Sequence, residues 1–103
     1  MAVRWIATTF PAEVAEKVVE TRVEEEWIAC ANLVQGATSI YRWDGKIQRD
    51  RETLGFLKTR DDLVDGLMTR LGDLHPYDVP EILVLEVTDG FAPYLAWVAE
   101  VTR

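Results

Sequence analysis

At 103 residues with 49% hydrophobic side chains, four of them tryptophan, the chain has enough apolar mass for one core and too little length for two. A net charge of −7 argues against a nucleic-acid partner, since phosphate binding needs a concentrated basic face. One cysteine cannot close an internal disulfide, and no apolar run reaches membrane-spanning length.

Residues 1–103 are therefore expected to form a single domain. The N-terminal run Met1-Ala2-Val3-Arg4-Trp5-Ile6 lacks the basic, apolar and cleavage regions of a secretory leader, which predicts a soluble cytoplasmic protein with no membrane partner. Val3 to Thr9 reads as a first strand, ending at Phe10-Pro11. Pro11 suits a first helical turn, where its missing N–H costs nothing. From there to about Glu26, Val14, Val18, Val19 and Val23 recur at helical spacing opposite a charged face, predicting an amphipathic helix. Glu24-Glu25-Glu26 oppose the helix dipole at its C-terminus, so fraying is expected there.

Two β-rich arms follow, Ala29 to Trp43 and Lys46 to Thr59, joined at Asp44-Gly45. Asp-Gly between such arms predicts a tight hairpin, because both central turn residues need positive φ. At roughly 3.3 Å per residue, about fourteen residues extend about 45 Å, twice the usual strand. So short a chain cannot bury that ribbon, and its distal half, with Tyr41, Trp43 and Ile47, is expected to project toward another copy of the same chain. Gly36 interrupts the first arm and predicts a bulge. Lys46, Arg49 and Arg51 alternate with Asp44, Asp50 and Glu52, which reads as a solvated, salt-bridged ribbon.

A second helix is expected from about Arg60, capped by Thr59, buried along Leu63, Val64, Leu67, Met68 and Leu71, and ended by Gly72. Gly66 inside it costs roughly 1 kcal/mol relative to alanine, which implies close packing. Ile82 to Val87 forms a fourth strand, and Pro93 opens a last helix carrying Tyr94, Leu95, Trp97, Val98 and Val101. The order βαββαβ plus a C-terminal helix predicts an α+β, ferredoxin-like sandwich with a long β2–β3 hairpin.

Three segments carry a family resemblance. The run Ala29 to Lys46, with Cys30-Ala31-Asn32 near its start and Tyr41-Arg42-Trp43-Asp44-Gly45-Lys46 at its end, resembles the signature of the CutA divalent-cation tolerance proteins. Leu57-Lys58-Thr59 and His75-Pro76-Tyr77-Asp78-Val79-Pro80-Glu81 follow in the family's order. The resemblance implies a ferredoxin-like subunit in a tight homotrimer, with a role in the response to metal ions. It also implies clefts between subunits, as in the nitrogen-regulatory PII proteins.

His75, the only histidine, lies in a proline-rich loop; it either ligates a metal or hydrogen-bonds to hold its own turn. Family members associated with copper resemble this chain at His75, but many carry a second histidine where Leu74 stands here, and some a cysteine where Thr8 stands. One histidine and one cysteine are too few for a soft site, so no cofactor is required and copper or another divalent ion is expected to bind only weakly. Cys30, among apolar residues in what reads as a central strand, is expected to be a buried small hydrophobe. Tyr41, Trp43, Lys58, Tyr77 and Glu81 form a candidate binding constellation, with Lys58 anchoring a small anionic ligand or paired with Glu81. No phosphate loop or nucleophile with its base is identifiable, so an enzyme is not expected. The readings are a cytoplasmic homotrimeric divalent-cation tolerance protein, a PII-like small-molecule sensor, or a trimeric protein-interaction scaffold.

Overall fold

The computed structural model describes residues 2–103; Met1, the first residue of the expected 1–103 domain, lies outside them. The elements run β1 (Val3–Phe10), α1 (Ala12–Glu24), β2 (Cys30–Trp43), β3 (Lys46–Arg60), α2 (Val64–Leu74), β4 (Ile82–Glu86) and α3 (Ala92–Glu100). The four strands make one antiparallel sheet in the order β2-β3-β1-β4, the expected α+β, ferredoxin-like arrangement.

Strand alternation divides the sheet into two faces. Ile6 and Leu57 point toward α1 and α2, where they form a closed core with Ala15, Val19, Leu67 and Leu71. On the other face α3 covers one end only, through Val98 packed on Val3 and Ala29. The rest of that face leaves Trp5, Val34, Leu83 and Leu85 between 36% and 57% exposed.

The hairpin turns at Asp44 and Gly45 with φ of 52° and 73°, as an Asp-Gly turn requires. Its ladder slips between Val34 and Ala37, around Gly36 at φ 78°, so the predicted bulge is present. The molecule extends 45 × 25 × 23 Å, its long axis equal to the length expected for the ribbon.

Several local expectations give way to tertiary contacts. β3 continues to Arg60 because Val3 of β1 pairs with it, and a 3₁₀ turn, Asp61–Leu63, precedes α2. Thr59 therefore caps nothing; its hydroxyl donates to the Trp27 carbonyl at 2.7 Å. Gly72 lies inside α2, which continues to Leu74 and stops because His75 precedes Pro76 and is held extended at φ −73°, ψ 137°. β2 is an edge strand rather than a central one. Cys30 is accordingly half-buried, with its Sγ 3.1 Å from the Tyr94 hydroxyl.

The C-terminus of α1 does not fray. Glu26 adopts φ 65°, the Glu26 N–H donates to the Val23 carbonyl and the Trp27 N–H to the Arg22 carbonyl, closing the helix in a Schellman motif. Glu25 lies 3.1 Å from the Arg22 guanidinium and 3.9 Å from that of Arg70, which offsets the dipole. Arg22 is thus buried where Val23, expected in the core, is 39% exposed.

Candidate functional site

The site is organised by His75. Its Nε2–H donates to the Thr9 carbonyl at 2.7 Å, and its Nδ1 accepts the Tyr77 N–H at 3.1 Å, so these partners assign the proton to Nε2. The ring stacks on Phe10 with centroids 5.2 Å apart and meets the Tyr77 ring at 4.7 Å. At 8% exposure, with both nitrogens engaged, this imidazole is placed to hold its turn.

The turn aims Tyr77 at the hairpin. The Tyr77 hydroxyl donates to Glu52 Oε2 at 2.8 Å, and burial, followed by that carboxylate, pushes the phenol well above its usual range. Two residues along the same strand, Asp50 accepts the hydroxyl of Tyr41, which raises the Tyr41 phenol in turn. Both tyrosines remain neutral donors at ordinary pH.

Between the hairpin and the loop after α2 lies a cleft of about 570 Å³. Tyr41, Trp43, Tyr77 and Glu81 of the predicted constellation all line it, and His75 holds the loop that forms one wall. Lys58 is absent from the lining. β3 and β4 are both antiparallel to β1, so they run in the same direction; the end of one and the start of the other lie at opposite ends of the sheet. Lys58 stands six residues beyond Glu52, about 20 Å along the strand at roughly 3.3 Å per residue. It hydrogen-bonds to the Asn32 side chain, with its ammonium 5.4 Å from the centre of the Trp5 ring. Among the described residues it makes no ion pair with Glu81.

Asp50, Glu52 and Asp78 complete the acidic lining and were missed in the sequence, where the hairpin charges read as an alternating solvated ribbon. The alternation itself carried the signal: on a strand of period two, Asp50 and Glu52 share one face while Arg49 and Arg51 take the other. Among the described residues no lysine or arginine lines the cleft, so they give it a negative potential that attracts cations and repels anions.

A resident metal ion does not fit these residues. Among those described, no three or more His, Cys, Asp or Glu are grouped to share an ion, and His75 has no free ring nitrogen. Cys30 is committed to Tyr94, whose phenol that contact and then burial push up to about 12.

The family model described as CutA1 divalent ion tolerance protein matches residues 4–101. The chain is 48% identical to the divalent-cation tolerance protein CutA of Pyrococcus horikoshii, over 95% of this chain and 96% of that one. It is 44% identical to human protein CutA over 92% of its own length but spans only about half of that relative, 54%. Among solved structures, the PII-like protein CutA from Nostoc sp. PCC 7120, in apo form, superposes with a TM-score of 0.92 at 31% identity, covering 100% of this chain and 98% of that one.

Proposed function

The chain belongs to the CutA1 divalent ion tolerance family, and we propose that it acts as a cytoplasmic divalent-cation tolerance protein that works as a homotrimer. The observation that carries the assembly is the apolar surface one chain leaves uncovered. Trp5, Leu83 and Leu85 stand on the sheet face that α3 only partly covers, and Trp43, at 59% exposure, stands on the projecting hairpin. Patches of this kind mark interfaces, and a second and third copy of the same surface supply the partner with closed symmetry.

Metal binding in this reading is weak. Copper reaches His75 Nδ1 only by displacing the Tyr77 N–H, and Leu74 and Thr8 contribute no donors beside it. Calorimetry with copper(II) tests this: the native protein binds weakly and His75→Ala loses the binding. Equal isotherms would remove His75 as a ligand.

One feature favours a second reading, a PII-like sensor of small molecules. The cleft holds Tyr41, Trp43, Tyr77 and Glu81 around a volume suited to a metabolite, and the similar Nostoc protein is described as PII-like. The cleft's negative charge opposes the anionic ligand expected from Lys58, so the sign of the effector follows from the lining.

A further inference from the structure

We propose that the arginine face of the projecting hairpin docks on the acidic end of α2 and the loop after it, around Asp73 and Asp78, in a neighbouring copy of this chain. This rests on the assembly reading above and names two surfaces that meet in it.

The hairpin is segregated by charge. Its ladder sets Thr38 opposite Arg51, Ile40 opposite Arg49 and Arg42 opposite Ile47, so these side chains share one face. Asp50 and Glu52 take the other. Arg42, Arg49 and Arg51 follow one another along the ribbon at roughly 7 Å intervals, and all three are exposed. Among the described residues they make no ion pair, whereas Arg4, Arg22, Arg60 and Arg70 each meet a carboxylate. Arg103 lies over the Trp27 ring and donates to the Glu25 carbonyl. The unpaired arginines flank Ile40 and Ile47, whose exposure marks this face for burial. A surface that covers the isoleucines takes the guanidinium groups out of water and must offer them carboxylates.

The chain carries such a surface. Leu74 and Val79 are exposed beside Asp73 and Asp78, and neither aspartate takes part in an ion pair among the described residues. Apolar side chains there meet the isoleucines, and carboxylates meet the arginines. The outer face of α1 offers Glu13, Glu16, Glu20 and Glu24, but Lys17 interrupts them and Val23 alone adds a large exposed apolar group. It matches the charge of the hairpin face and not its apolar part. The carboxylates must come from another copy. Within one chain the loop packs on the acidic face, where Tyr77 reaches Glu52, and the arginines take the opposite face. The contact joins two unlike surfaces, so it adds copies head to tail until a ring closes.

Dissociation on dilution tests the pairing, measured by light scattering in a fixed, moderate urea concentration at low salt, with circular dichroism reporting subunit folding. The native assembly should dissociate more readily as sodium chloride is added. Arg49→Glu with Arg51→Glu should raise the half-dissociation concentration about tenfold or more, and Asp73→Arg with Asp78→Arg should do the same. All four changes together restore each pair with its signs exchanged and should recover most of the loss. If the Asp78 change disturbs the loop, Asp73→Arg added to the arginine reversal is the readout. Glu16→Lys with Glu20→Lys, on α1, is the control and should leave dissociation unchanged. Native dissociation after the arginine reversal, no recovery in the combined variant, or recovery by the α1 changes instead would each overturn the proposal. A native protein that never assembles defeats the assembly reading itself; a trimer indifferent to the arginine reversal defeats this pairing alone.

Discussion

At the scale of residues, the molecule's polar chemistry is concentrated in a relay from Thr9 through His75 and Tyr77 to Glu52. The Tyr77 phenol is held protonated by burial and by Glu52, which has a consequence for stability. Its pKa is raised on folding, so its contribution is complete below the ordinary phenol value of 10.0 and is lost as pH rises through the folded-state value. Denaturation of the native protein should therefore become easier as pH climbs above about 10, with a shallower decline in Tyr77→Phe. Identical slopes in the two proteins would show that Tyr77 does not carry this linkage. The sequence revealed Tyr77, Glu81, Tyr41 and Trp43 because a proline-rich loop and an Asp-Gly turn mark themselves locally. Lys58 was misplaced because its position depends on the relative direction of β3 and β4, which strand order decides and local sequence does not.

At the scale of elements, the clearest agreement concerns Gly66 in α2. A Cβ there would lie 2.7 Å from the Trp27 ring, so the expected close packing has a named partner. That ring is itself flanked by the guanidinium groups of Arg70 and Arg103, at 5.3 and 5.0 Å, and cannot retreat freely. Gly66→Ala gains about 1 kcal/mol of helix propensity but overpacks this contact by roughly 1–3 kcal/mol. A net fall in the urea midpoint is expected, and a rise would mean that Trp27 moves aside at little cost. The periodicities exposed all four strands and three helices, and the turn and bulge positions followed from Asp44-Gly45 and Gly36. The helix boundaries were less legible. Pairing of Val3 with Arg60 overrode the Thr59 cap, and Arg22, Arg70 and Arg103 tied down an acidic helix end that looked unstable in isolation.

At the scale of the whole molecule, the length of the hairpin was the sequence feature that reached furthest. Ile40, Trp43 and Ile47 are 60%, 59% and 52% exposed at the end of a body 45 Å long. The uncovered sheet face was not legible, since it depends on α3 packing over one end alone. On the proposed trimeric reading these surfaces are covered by other copies of the chain, and Trp43→Ala should promote dissociation on dilution before it alters the subunit's circular dichroism. The central claim is the closed assembly of three chains, and light scattering of the native protein at micromolar concentration and neutral pH tests it most directly. The account predicts about three times the 11.7 kDa subunit mass; a persistent monomer under those conditions would contradict it.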